Sequence, residues 1–310
     1  IAMLIALRRN AVRIRWNFDL KHPAVRQLLR LSGWAVGYVA ANQIALVVIK
    51  NLAKPGSGNV DAYSKAYTFL SLPHGLLAVS IATTFVPELA RAAADLNTKE
   101  FARRFISGVR LTALATIPAS LGMYVLAKPL VAMLLQHGNF SAAATVNTAR
   151  ALAGLALGLA GFSIYLFVLR GFYAHNDTRT PFFINLFENA LNIIFAILFV
   201  NKYDVLGLGL AFSIAYLISA VVALFILQRK TSEINAPKIL LNLLPIALSA
   251  AVMAVVVKIL SQQIAGDKAT AGLQATSQVV VCVVVGALVY LVMIFALRVR
   301  ELRELTGKHD

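Results

Sequence analysis

Apolar runs of roughly 20 residues, separated by short polar stretches, fill the chain from residue 30 onward. A membrane-crossing helix needs about 20 predominantly apolar residues. The pattern therefore predicts eight spans, over residues 30–52, 61–87, 105–127, 148–173, 182–200, 205–228, 239–260 and 276–297. Residues 88–104 read as a polar connector, and residues 128–140 as a half-helix ending at Gly138. Ahead of the first span, residues 1–7 read as the end of an earlier membrane helix, so the chain is expected to be a fragment. Val12, Ile14, Trp16, Phe18 and Leu20 alternate with polar residues, which predicts a short extended segment at the membrane interface. Pro23 suits the first turn of the helix that follows.

Polar residues inside the apolar runs carry the chemistry, because each is costly in lipid and tends to face a bundle interior. The second span contains Pro73, His74 and Gly75 in mid-run. A proline there removes a backbone donor and crowds the carbonyl of Phe69, so the helix is expected to kink or open. Just before it stand Lys65, Tyr67 and Thr68. A broken span with polar neighbours faces protein or a water-filled cavity; a plain packing kink is the alternative. His74 is expected to cap the kink rather than carry protons. Gly154, Gly158 and Gly161 in the fourth span have helix-packing spacing.

In the fifth span Asn185, Glu188, Asn189 and Asn192 share one helical stripe, and Glu188 is the only carboxylate well inside a span. Two readings stand: a cation or proton site built on Glu188 and Asn192, or an interhelical hydrogen-bond seam. Asn42 and Gln43 of the first span, and Ser213 of the sixth, are expected to meet that stripe. Between the fourth and fifth spans lies RGFYAHNDTRTP, residues 170–181. Thr180 is expected to cap the helix opened by Pro181, and Asp177 to pair with Arg170 or Arg179. The turn reads as a structural hairpin, with a gate or an arginine site for an anionic headgroup as the functional alternative.

Composition agrees with the class. Of 310 residues 59% are hydrophobic and 14% charged, and mean hydropathy is +0.77; soluble domains are nearer one-quarter charged. Cys282 is the only cysteine, so no internal disulfide or cysteine metal motif is available. No histidine has a metal-ligand partner at helical spacing, and phosphate-loop and nucleophile-elbow patterns are missing. No enzymatic chemistry is expected. The net charge of +16 does not point to nucleic acid, because of where it falls. With residues 8–30 in the cytoplasm, alternate loops hold 21 of the 29 Lys and Arg. The remaining eight are Lys50, Lys54, Lys65, Lys128, Arg150, Lys202, Lys258 and Lys268. This bias predicts both ends of the chain on the cytoplasmic side.

Three segments resemble the MurJ/MviN lipid II flippases of the multidrug/oligosaccharidyl-lipid/polysaccharide exporter superfamily. RGFYAHNDTRTP is similar to the family's cytoplasmic turn, LPHGLLAVSIATTFVPELAR to its proline-broken helix, and HPAVRQLLRLSG to the lead-in to its seventh helix. Their order and spacing match. The resemblance implies an all-α polytopic helical bundle in the bacterial cytoplasmic membrane, with this chain supplying helices seven to fourteen. Residues 1–29 would be the end of a preceding helix and a basic loop. Residues 30–228 would be the six-helix second lobe, 229–298 the two last helices lining a lipid-tail groove, and 299–310 a cytoplasmic tail.

The implied activity is alternating-access transfer of an undecaprenyl-pyrophosphate-linked precursor. A flippase for another polyprenyl-linked glycan, or a transport-inactive scaffold for cell-wall enzymes, are the alternatives. The implied partners are an anionic lipid-linked substrate, membrane lipids, cell-wall synthesis proteins and the absent first lobe of the same protein. No cofactor is implied, while coupling to a monovalent cation or the membrane potential is open. Where many members carry Ala-Asp-Arg in the broken helix, this chain has Ala66, Tyr67 and Thr68. Lys65, Tyr67 and Thr68 are thus its substrate-binding candidates, and Arg170, Asp177 and Arg179 its cytoplasmic gate. Where some members place cation-binding aspartates, Asn42 and Asn192 stand, so Asn42, Glu188, Asn192 and Ser213 are the candidate cation or proton site.

Overall fold

The computed structural model describes residues 23–265 and 273–297. The helix end, basic loop and interfacial segment expected over residues 1–22, and the tail, lie outside the described residues. Among the described residues the elements are helical: α1 (Pro23–Leu52), α2 (Asn59–Pro73), a π-helical turn (His74–Val79), α3 (Ser80–Ala94), α4 (Thr98–Val125), α5 (Ala127–Leu135), α6 (Ala142–Ala156), α7 (Leu159–Ala174), α8 (Arg179–Tyr203), α9 (Val205–Lys230), α10 (Ala236–Ala265) and α11 (Leu273–Ala296). Seven stretches are long and apolar enough to cross a membrane, and α6 with α7 makes an eighth when that pair is taken as one bent span.

Boundaries moved where local capping outweighed hydropathy. The expected polar connector over 88–104 is mostly helix. α3 runs on to Ala94, and α4 begins at Thr98 because the Asn97 side chain accepts from the Glu100 N–H at 3.0 Å. Glu100 then pairs with Arg103 and Arg104, and Arg104 also reaches Glu88 across the turn at 3.1 Å. The charges that looked like a loop are the solvated first turns of a helical hairpin. The half-helix over 128–140 is α5, which ends at Leu135, and Gly138 adopts φ +59° in the turn beyond.

The proline-broken span is not severed. After Pro73 the chain widens into the π-helical turn and continues as α3, so the span stays one rod. The real bend lies where no proline stands: α6 and α7 meet at 46° across Leu157 and Gly158.

α9 is the central post, packed on α6, α7 and α8. α1 packs on α8, and α2 on α6. α10 and α11 form a pair, with α10 set against α4 and α11 against α5. One core cluster joins α3, α4 and α7 to the later part of α9, and another joins α2, α5 and α6 to its start. Between them lies an aromatic layer, in which Phe162, Phe212 and Tyr216 stand 4.5–5.7 Å apart.

Candidate functional site

A cavity of about 390 Å³ opens beside this aromatic layer. α1 gives it Tyr38, Asn42 and Gln43, α2 gives Tyr63 and Tyr67, α8 gives Asn189 and Asn192, and α9 gives Phe212 and Tyr216. Asn189 and Asn192, two of the four residues of the α8 stripe expected from sequence, line it. Asn185 and Asn189 each donate a side-chain N–H to Asn42 Oδ1, at 3.1 and 3.2 Å. Asn189 also donates to the Asn185 carbonyl at 2.9 Å. This is the interhelical seam, and it ties α1 to α8. Glu188 is 1% exposed. The Tyr216 hydroxyl lies close beside its carboxyl; among the described residues neither carboxyl oxygen has a partner within strict hydrogen-bond geometry, nor do the side-chain oxygens of Asn185 and Asn192. The seam and the acceptor cluster coexist on one stripe, so the two readings of the sequence are not exclusive.

Ser213 departs from expectation. Its hydroxyl donates to the carbonyl of Gly154 at 2.6 Å and to that of Leu155 at 3.3 Å, so it serves the bend between α6 and α7 rather than the Glu188 stripe. The helix periodicity of α9 was legible, but which neighbour its serine faced was not.

The three residues ahead of Pro73 separate. Tyr67 lines the cavity and lies 6.0 Å edge-on to Phe212. Thr68 is exposed and bonds back to the Ser64 carbonyl at 3.1 Å. Lys65 pairs with Asp61 one turn earlier and stands over the Phe140 ring at 5.5 Å, outside the lining of the cavity. His74 is tied to α7 by a 3.0 Å contact with the Ser163 hydroxyl and by stacking on Phe162 at 4.5 Å.

The turn between α7 and α8 closes one end of a second cavity, about 860 Å³, walled by Leu31 and Trp34 of α1, Phe183 and Phe187 of α8, and Ile226 of α9. Asp177, not Thr180, is the capping side chain: it accepts from the Thr180 N–H at 2.9 Å and from its hydroxyl at 2.6 Å. The ion partner of Asp177 is Lys230, and neither Arg170 nor Arg179 takes that place. Arg179 stands 5.8 Å from both the Trp34 and Phe183 rings. Lys230 lies at the end of α9, 53 residues on; nothing local in the sequence couples it to Asp177.

Burial alone would raise the Asp177 pKa, but the Lys230 ammonium and the Thr180 hydroxyl and N–H outweigh it and hold the carboxyl below its ordinary value of 3.8. A carboxyl with a depressed folded pKa stabilises above its unfolded pKa and loses that contribution as pH falls through the folded value. The melting-temperature gap between wild type and Asp177→Asn should therefore hold from neutral pH to about pH 5 and shrink below about pH 4. Lys230 is 41% exposed, so a double-mutant cycle with Lys230→Gln should give a coupling of only about 0.5–1 kcal/mol. A gap that persists unchanged to about pH 3 would remove the charge contribution.

A family model described as lipid II flippase MurJ matches residues 1–271. The chain belongs to the MurJ lipid II flippase family. A probable lipid II flippase MurJ of Rhizobium meliloti is 31% identical over 216 residues, 70% of this chain and 40% of that protein. The lipid II flippase MurJ of Burkholderia cenocepacia is 33% identical over 163 residues, 52% of this chain and 32% of the relative. The matched part thus spans well under half the length of these relatives. Among solved structures, a lipid II flippase MurJ in an inward closed conformation superposes with TM-score 0.69 at 26% identity, covering 94% of this chain and 58% of that one. An outward-facing transporter of the multidrug MATE family, within the MOP superfamily, shares the fold at TM-score 0.57 and 14% identity. With seven or eight helices long and apolar enough to span among the described residues, this MurJ-family chain is a multi-pass membrane protein. Its sequence motifs led to the Pro73 helix, the asparagine stripe and the Asp177 turn. They did not single out the tyrosines Tyr38, Tyr63 and Tyr216, although hydroxyls at membrane depth are themselves a signal of a polar interior.

Proposed function

We propose that this chain forms the second lobe (residues 30–228) and the last two helices (229–298) of a lipid II flippase. It would work by alternating access with a first lobe, moving an undecaprenyl-pyrophosphate-linked precursor to the outer leaflet without covalent change. The observation that carries this reading is the family match across residues 1–271. Tyr67 and Thr68 support it as the substrate-facing wall: both are exposed on this lobe, and Tyr67 opens onto the polar cavity. Lys65, three residues before Thr68, carries a cation balanced by Asp61. Glu188 and Asn192, with Asn42 behind them, are assigned the uptake of a proton or a monovalent cation. A buried carboxylate without donors is costly unless protonated or paired. At the other cavity, Arg179 and the Asp177–Lys230 pair are assigned to cytoplasmic closure, with Arg170 on the same turn. The charge bias supports a cytoplasmic location for that turn.

One experiment tests function and orientation together. Cells depleted of their own flippase receive the full-length protein carrying Cys282→Ala and Gly56→Cys. Growth should be restored, lipid II should become accessible at the outer surface, and a membrane-impermeant maleimide should label the introduced thiol from outside. Growth failure by a stably inserted protein rejects the flippase reading; labelling only after permeabilisation rejects the orientation.

A further inference from the structure

Three of the eight basic residues that fall outside the cytoplasmic charge set meet in one place. Lys128 of α5, Arg150 of α6 and Lys258 of α10 line a cavity of about 410 Å³, with Tyr124, Val146 and Leu206 among its walls. None of the three pairs with a carboxylate of a described residue. Arg150 is positioned by a 3.2 Å bond to the Tyr203 carbonyl, at the far end of α8 from the Asp177 turn. α8 has 25 residues, about 37 Å of helix, so the cluster sits near the opposite membrane surface. Its mouth is apolar and outward-facing: Tyr124 and Val146 are 46% and 45% exposed.

Unpaired cations grouped between helices at interfacial depth, beside an exposed apolar wall, suit an amphiphile with a phosphate on one end. We propose that Lys128, Arg150 and Lys258 bind the phosphate headgroup of an anionic membrane phospholipid in the leaflet opposite the Asp177 turn. The three cations come from the six-helix body and from α10, so the bound lipid bridges the body to the terminal helix pair. This goes beyond the transport reading and does not depend on it: the occupant is a resident lipid, not the cargo.

The test is lipid titration of the purified full-length protein by native mass spectrometry, using dioleoylphosphatidylglycerol and dioleoylphosphatidylcholine. Each basic residue near an anionic lipid changes binding about fivefold. Lys128→Gln with Lys258→Gln should therefore weaken phosphatidylglycerol about 25-fold and leave phosphatidylcholine unchanged. Arg150 is kept, because it also holds the Tyr203 carbonyl. Lys50→Gln with Lys54→Gln, cations in the same charge set but outside this cavity, should shift phosphatidylglycerol by less than about twofold. An equal shift in both double variants, or none in the first, overturns the site. Undecaprenyl phosphate separates the two phosphate-bearing lipids, since its displacement of phosphatidylglycerol at equimolar concentration would give the cavity to the cargo carrier instead.

Discussion

Gly158→Leu should leave little folded protein. A Cβ at Gly158 would lie 2.6 Å from Ser213 Oγ and 2.7 Å from Ser213 Cα, and a backbone atom of a packed helix cannot swing aside as a side-chain tip does. The neighbours repeat the geometry: a Cβ at Gly154 would meet the Leu206 carbonyl oxygen at 2.6 Å. The bend between α6 and α7 lets both helices press on α9, and Ser213 spans the contact by bonding to the Gly154 carbonyl. Overpacking usually costs about 1–3 kcal/mol and more where nothing can move. Leucine at this site must separate α6–α7 from α9, the post on which the bundle is built. Loss of the monodisperse chromatographic peak, or a drop in melting temperature of more than about 10 °C, is the expected result. Gly75→Ala is the control, since nothing lies within 4 Å of its Cβ position. A Gly158→Leu protein that melts like wild type would show that α9 does not carry the lobe.

Glu188→Gln should do the opposite: keep the fold and stop the work. The amide occupies the same volume, and it adds a donor to a stripe where the side-chain oxygens of Asn185 and Asn192 have no partner among the described residues. Interhelical hydrogen bonds in membranes average about 0.6 kcal/mol, so stability should be equal or slightly higher. Glutamine can neither release a proton nor hold a cation at this depth. If Glu188 carries the coupling, transport of lipid II should fall at least about tenfold, a barrier increase of about 1.4 kcal/mol, while the melting temperature holds. Flipping at more than half the wild-type rate would assign Glu188 to the hydrogen-bonded seam alone.

Sequence periodicity was sufficient for where most spans lie and for which side chains share a face, but not for the 46° bend that divides the fourth span into α6 and α7. Asn185, Asn189 and Asn42 met as expected, because polar residues inside lipid-facing helices have few other places to go. Contacts that depend on how helices lean were not legible. Ser213 turned to the α6–α7 bend, and the partner of Asp177 was Lys230 at the end of another helix. Both depend on crossing angles, which a one-dimensional pattern does not encode. Lys65 is a different case, because Asp61 lies at i−4, an ordinary helical ion-pair spacing. That pairing was readable, and it removes Lys65 from the ranks of unbalanced cations.

The π-helical turn after Pro73 does more than preserve a rod. Counted at 100° per residue, the buried positions before it, Ala62, Tyr63, Ala66 and Leu70, centre about 110° away from those after it, Ala82, Leu89 and Ala92. A wider turn takes up about one extra residue, close to that angle. The turn therefore works as a phase corrector: it re-indexes the helix by one position, so that both halves present their small and apolar side chains to the same bundle. A straight α-helix of the same sequence would satisfy α6 with its first half and turn the buried stripe of its second half a quarter-turn or more away from α4.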